Sequence, residues 1–214
     1  MKFFNGWYFP NTEEHFIEFM SERNVKNYQQ EIRLLSFKYL DNCRVAIDIG
    51  ANVGLWARDI CNKFEHSHLF EPYDKNIECL KKNLSLYDNY TIHKYALSNV
   101  DGIGELYFNE NCLGGSSLNP NSSKDLMKKQ INKKKLDNFS FKNIDYIKID
   151  VQFHELEVIE GSLETLKINN PVICVEAARR NVQELNYVKK FIKILEDLNY
   201  KIIGGLGKEL FLKK

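Results

Sequence analysis

Ala46-Ile47-Asp48-Ile49-Gly50-Ala51-Asn52-Val53-Gly54 is the stretch on which the fold turns. With Arg44 and Val45 before it, the apolar run has the length of a short buried strand. Gly50 then permits a sharp backbone turn, and the chain through Ala57 and Ile60 resumes at helical spacing. A strand that passes through a glycine turn into a helix is the opening unit of an open α/β sheet. Such sheets take their ligands at the carboxyl ends of the strands, where this loop sits.

The same texture repeats outward from that unit. His66–Phe70 reads as a strand, Asp74–Leu86 as a helix and Tyr90–Leu97 as a third strand. Asp101-Gly102 marks a turn before a strand over Glu105–Phe108, and Cys112 to Lys124, rich in Gly, Ser and Asn, reads as a loop. The alternation then resumes with strand Tyr146–Val151, helix Glu155–Leu166, strand Val172–Glu176 and helix Val182–Leu198. Tyr200–Ile203 and Glu209–Leu212 flank Gly204-Gly205-Leu206-Gly207, which reads as a tight hairpin. The prediction is an α/β, doubly wound, mostly parallel sheet closed by a terminal antiparallel hairpin. Residues 41–214 form that domain. Residues 1–40 form an N-terminal helical segment packed on it, with Thr12 as a helix cap and Phe16, Phe19 and Met20, then Ile32, Leu35 and Tyr39, as apolar faces.

Composition sets the outer limits. The chain has 214 residues, 43% hydrophobic and 28% charged, as in an ordinary globular domain. A formal net charge of +1 gives no overall field toward nucleic acid or an anionic membrane. Cys43, Cys61, Cys79, Cys112 and Cys174 are scattered and odd in number, which argues against a disulfide framework and fits a reducing compartment. No apolar run approaches the roughly 18 residues of a membrane span. A cytoplasmic enzyme is the expectation.

The glycine spacing discriminates between cofactors. A dinucleotide fingerprint needs Gly-x-Gly-x-x-Gly, whereas here Asn52 takes the middle glycine's place and Asp48 stands before the first. A carboxylate there repels a pyrophosphate and suits the ammonium and sulfonium of a methionine moiety. Glu71 ends the second strand in Leu69-Phe70-Glu71-Pro72, where it can accept hydrogen bonds from a ribose diol. The plain alternatives are a ligand-free turn and a solvated loop acid; the pairing of the two in consecutive units favours the cofactor reading.

Three motifs in series carry a family resemblance: Asp48-Ile49-Gly50-Ala51-Asn52-Val53-Gly54, then Phe70-Glu71-Pro72, then Ile147-Lys148-Ile149-Asp150-Val151 with His154-Glu155-Leu156-Glu157-Val158. With Ala96-Leu97-Ser98 and Leu136-Asp137 between them, the chain from about Tyr28 onward resembles the FkbM-type methyltransferases. The resemblance implies a class I methyltransferase, Rossmann-like fold with a seven-stranded sheet and S-adenosylmethionine as donor. It implies a hydroxyl oxygen, often on a saccharide or secondary metabolite, as acceptor. By the same match, Asp48, Gly50, Ala51, Asn52, Val53 and Gly54 line the methionine portion, and Glu71 and Pro72 the ribose, while Tyr73, Ala96, Leu97 and Ser98 flank the adenine. One departure is plain. After Asp150-Val151 the family usually has Glu-Gly, whereas this chain has Gln152-Phe153, which removes a charge and puts a bulky aromatic in place of a permissive glycine.

Methyl transfer from a sulfonium needs alignment above all, and a neutral hydroxyl acceptor also invites a general base. Asp150, at a strand end, and His154, at the start of the next helix, are the candidate catalytic residues. Gln152, Glu176 and the Ser116 and Ser117 hydroxyls beside Gly114-Gly115 are candidates for the acceptor pocket, the glycines allowing a lid. A partly exposed histidine, a salt-bridged acid and an ordinary loop are the corresponding plain readings. No metal site is expected: His66 and His68 lack a third ligand. Lys128, Lys129 and Lys133 to Lys135 read as a solvated face rather than a nucleic-acid surface. Phe3, Phe4, Trp7, Tyr8 and Phe9 read as packing over a sheet edge, with a cover over the site or a homodimer contact as alternatives.

Competing functions are methylation of nucleic acid or protein, a non-catalytic module that binds S-adenosylmethionine, and a nicotinamide oxidoreductase. An Asn/Asp-Pro-Pro-aromatic tetrad is missing, since Asn119-Pro120 does not continue that way, and the glycine spacing disfavours the nicotinamide.

Overall fold

A computed structural model describes residues 1–109, 111–119, 126–177 and 181–214. Among them are thirteen strands and seven α-helices, numbered in chain order. The third strand, β3 (Val45–Ile49), with β10 (Ile144–Ile149) and β11 (Val172–Glu176), consists of nearly unbroken buried residues, because layers cover both faces. Together with β4 (His66–Phe70), β5 (Tyr90–His93), β12 (Lys201–Leu206) and β13 (Glu209–Lys213) they form a seven-stranded sheet in the order β12-β13-β11-β10-β3-β4-β5. Five central strands run parallel from β5 through β11. β13 lies antiparallel between β11 and β12.

The chain enters at the middle of the sheet, winds out to β5 and returns to β10 on the other side of β3. That reversal opens a crevice between the ends of β3 and β10. Odd-numbered residues of these strands, Ile47, Ile49, Ile147, Ile149, Ile173 and Val175, pack under α5 (Glu155–Glu160), α6 (Leu163–Asn169) and α7 (Val182–Asp197). Even-numbered Ala46, Tyr146, Val172 and Cys174 pack on the opposite face with Trp56, Ile60 of α3 (Ala57–Lys63), and Ile32 and Leu35 of α2 (Gln30–Ser36). Asp48 and Lys148 belong to this second face, buried and side by side in the β3–β10 register.

Several elements differ from the expectation. The N-terminus opens with a hairpin, β1 (Lys2–Phe4) and β2 (Trp7–Phe9), turned by Asn5-Gly6 with both residues at positive φ. Its aromatics pack inward, with Trp7 and Phe9 joining Phe16 and Met20 against Val53 and Leu55. The first helix, α1 (His15–Glu22), starts after Glu14, and Thr12 does not cap it; instead the Glu13 carboxylate accepts from Phe16 N at 3.0 Å. The strand expected over Tyr90–Leu97 divides. β5 stops at His93, and β6 (Ala96–Leu97) joins a second sheet of order β6-β9-β7-β8 with β7 (Gly102–Asn109), β8 (Cys112–Ser117) and β9 (Met127–Lys134).

β9 is the basic stretch and β8 the supposed loop; residues 120–124 of that loop lie outside the described residues. Lys129 is paired to Asp74 of α4 (Asp74–Asn83) at 2.8 Å and Lys128 to Glu105 at 3.2 Å, so these lysines are partly spent within the fold. The helix expected over Glu155–Leu166 breaks at Gly161-Ser162, where the backbone of Ser98 passes so close that a Cβ on Gly161 would sit 2.1 Å from its carbonyl oxygen. In the last hairpin the turn is Gly207-Lys208, and Gly204-Gly205 extend β12.

Candidate active site

The loop after β3 is fixed from both sides. Gly50 N and Ala51 N both donate to Phe70 O at 3.0 Å, and Asp150 N donates to Ile49 O at 3.1 Å. Gly50 has φ +84, and a Cβ there would fall 2.0 Å from the Asp150 carbonyl oxygen, so only glycine lets the ends of β3 and β10 approach this closely. Asn52 follows in the left-handed region with φ +50, its own carbonyl side chain accepting from Val53 N at 2.7 Å. Asn52 N donates to Glu71 Oε2 at 2.9 Å, which links the loop to the end of β4. Glu71 Oε1 accepts from Tyr73 N at 2.9 Å and Asn76 Nδ2 at 3.3 Å. Burial pushes the Glu71 carboxyl up to about 7, against those hydrogen bonds.

Two cavities flank this wall. The first, about 570 Å³ counted out to solvent, is lined among others by Glu71, Pro72, Ala96, Leu97, Ser116 and His154. The second, about 860 Å³ on the same measure, lies against the other sheet face and contains Asp48, Ala51, Lys148, Glu176, Trp56 and Tyr28. Gly50, Asn52, Gly114, Asp150 and Gln152 line both. Asp48 and Glu71 therefore open on different cavities that share one wall. Val53, Gly54, Tyr73 and Ser98, expected beside the cofactor, line neither: Tyr73 turns its ring to Phe108 at 4.9 Å, and Ser98 is buried against His154.

Asp48 is 1% exposed, and its Oδ2 has no hydrogen-bond partner among the described residues. Burial pushes its pKa up to about 7 despite Lys148. Lys148 is equally buried, with Nζ 3.2 Å from Asp150 Oδ2 and 4.6 Å from the Trp56 ring centroid. Desolvation is the largest influence and works against its charge, but Asp150, Cys174, Glu209 and Asp48 together outweigh it and keep it protonated. For Asp150 the balance runs the same way: burial raises the carboxyl, and Lys148, Glu176 and Gln152 together hold it below its usual value. Glu176, beside it, is pushed up to about 8 by burial and then by the Asp150 charge. A lysine inside the apolar run Ile147-Lys148-Ile149 was the sequence signal for this cluster, since an unpaired buried lysine is rare.

His154 differs from its expected state. It is buried as the first residue before α5, its Nε2 3.0 Å from Ser98 Oγ, and burial followed by Lys133 lowers it to about 4. A histidine so placed is neutral and a weak proton acceptor. The Gly114–Ser117 stretch is likewise no free lid: it is the end of β8, with Ser117 Oγ donating to Gln152 O and Asn119 Nδ2 to Phe153 O. Those bonds hold Gln152 and Phe153 at φ +52 and +68, the conformation a glycine would adopt without cost.

Residues 48–202 match the Methyltransferase FkbM domain. The chain belongs to that family. No curated protein matches it. Among solved structures, the FkbM methyltransferase of Methylobacillus flagellatus KT aligns with a TM-score of 0.56 at 18% identity, covering 80% of this chain and 44% of that one. This FkbM domain thus spans under half of that relative. Precorrin-6y C5,15-methyltransferase of Geobacter metallireducens GS-15 aligns at TM-score 0.51 and 14% identity, covering 86% of this chain and 87% of the other. A Streptococcus mutans protein assigned to the methyltransferases and solved in complex with SAH aligns at 0.53 and 9% identity, covering 87% and 99%. At these identities the likeness establishes the class I methyltransferase fold. No helix among the described residues is long and apolar enough to cross a membrane.

Proposed function

We propose that this FkbM domain moves a methyl group from S-adenosylmethionine to a hydroxyl oxygen of a saccharide or other small polar metabolite. The observation that carries this reading is the meeting of two cavities at Asp150. The first suits a nucleoside. Its apolar walls at Ala96 and Leu97 fit a base, and Glu71 keeps acceptor capacity for a ribose diol because a carboxylate offers about four lone pairs and three are used here. In the second cavity, beside the shared wall, Asp48 presents a buried carboxylate oxygen without a partner among the described residues, which is what an ammonium group requires. Bound there, the cofactor supplies a sulfonium-activated methyl group. The chain's own task is to place the acceptor and take its proton.

Asp150 performs that step in this reading, since it faces both cavities and is held ionised by Lys148. The polar lining of the second cavity, with Glu176, Gln29 and Tyr28, offers hydrogen bonds to a polyhydroxylated acceptor. Methylation of nucleic acid is the weaker reading, because two of the lysines of β9, Lys128 and Lys129, are engaged by Glu105 and Asp74. A tritiated-methyl transfer assay against fractionated cell extract tests the proposal. A labelled small polar product supports it, and labelled RNA or protein refutes the acceptor class. Calorimetric binding of NAD in place of S-adenosylmethionine would sink the reading altogether.

A further inference from the structure

Gln152 holds two acids with one amide. Its Nε2 donates to Asp150 Oδ1 at 2.8 Å and to Glu176 Oε2 at 2.6 Å. Two carboxyl oxygens bonded to one nitrogen lie no farther apart than those bonds laid end to end, so the Asp150 charge bears directly on Glu176. Two ionised carboxylates held this close repel each other, and one proton between them removes that cost. The cations beside them are unequal. Lys148 Nζ is 3.2 Å from Asp150 and almost fully buried, whereas Lys208 Nζ is 3.3 Å from Glu176 but 52% exposed, where solvent screens it.

The other elements supply no competing buried cation among the described residues. Asp48 faces the pair from β3, Cys174 from β11, Glu209 from β13, Glu155 from the head of α5 and Tyr28 from the N-terminal segment; His15 lines the same cavity. Arg33, also buried, is committed to Asp59 at 2.8 Å.

We propose that Asp150 and Glu176 share one proton, with Lys148 assigning the ionised form to Asp150 and Gln152 acting as the positioning residue that keeps the pair together. The elevated Glu176 and depressed Asp150 carboxyls agree with that assignment. Under the methyl-transfer reading, on which this last step rests, the pair becomes a proton exit. The acceptor O–H bond breaks as its oxygen bonds the methyl carbon, the electrons of the broken carbon–sulfur bond stay on sulfur, and the proton passes to Asp150. Glu176 releases its own proton to solvent and receives the one on Asp150, which restores the starting state. The Gln152 seen here in place of the family's usual Glu keeps a third acid out of this cluster.

Infrared difference spectroscopy on the ligand-free protein tests the idea without an acceptor. At pH 6.5 the spectrum of the unsubstituted protein minus that of Glu176→Gln should show the carbonyl stretch of a neutral carboxylic acid, titrating away with a midpoint near the Glu176 value of about 8. Lys148→Met and Gln152→Glu should each add one such neutral acid, which a purely structural residue would not do. Finding no neutral-acid band lost in Glu176→Gln, or none gained in the other two, overturns the proposal; should one variant not fold, the others decide. Calorimetry with S-adenosylhomocysteine separates the layers: if the unsubstituted protein fails to bind it, the methyltransferase reading falls while the infrared result still judges the shared proton.

Discussion

At the residue scale, Asp48 and Asp150 make opposite demands on the same crevice. The Asp48 carboxylate is buried with no partner for Oδ2 among the described residues, so its replacement by Asn should remove the charge that attracts an ammonium group. We expect Asp48→Asn to bind S-adenosylhomocysteine about 10- to 100-fold more weakly by calorimetry, in line with the loss of one buried charge-assisted contact. Asp150→Asn should leave that affinity within about threefold and lower the methyl-transfer rate by roughly 10²- to 10⁴-fold, as for a lost general base. Equal losses of affinity in both variants would contradict the division of roles. The sequence singled out Asp48, Glu71 and Asp150 by their serial pairing with strand ends, each set by the structure against one or both cavities. It did not expose the state of His154, since burial by Ser98 and α5 is a tertiary fact. Nor did it expose Lys148 as a partner, although its place inside a buried strand was anomalous.

At the element scale, the two loops of the crevice are held by neighbours distant in sequence. Gly50→Ala would force a methyl group 2.0 Å from the Asp150 carbonyl at φ +84. It should destabilise the fold by roughly 3 kcal/mol and abolish cofactor binding, read by denaturant unfolding and calorimetry. Glu13 ties α1 to β8 through Phe16 N at 3.0 Å and Leu113 N at 2.8 Å while only 1% exposed. Glu13→Ala strands two buried backbone donors and should cost about 2–4 kcal/mol; Glu13→Gln, which keeps one acceptor, should cost about half. The parallel elements were legible because their burial on two faces writes long apolar runs. The second sheet was not. β9 buries only Ile131 among its eight residues, and β8 is built on Gly114-Gly115, so neither carries a strand's alternation. The opening hairpin was marked by Asn5-Gly6, but its strands of three residues are too short for periodicity to register.

At the scale of the whole molecule, buried acids set the response to pH. Asp48, Glu71 and Glu155 are raised to about 7 and Glu176 to about 8, chiefly by burial. The native state therefore binds more protons than the unfolded chain between about pH 4 and 8, and stability falls as pH rises through that window. His68 and His154, lowered to about 4 by burial, oppose this below about pH 6.5, because the native state keeps them neutral while the unfolded chain protonates them. With Glu13 and Glu209 also raised and His93 also lowered by burial, six acids outweigh three histidines among the described residues. The ligand-free protein should melt on the order of 5 °C lower at pH 8 than at pH 5.5, and saturating S-adenosylhomocysteine should shrink that gap by giving Asp48 and Glu71 partners. A melting temperature that climbs with pH across this range would show that the acids are solvated.

The final strand inserts between two others instead of adding at an edge, and Leu210, Phe211 and Leu212 are buried within the sheet. During translation, β11 and β12 thus await a neighbour that is made after both of them, and until it docks each exposes a bare backbone edge. The half-sheet is consequently completed only once its latest-made strand has docked, and chaperone dependence should centre on that interval.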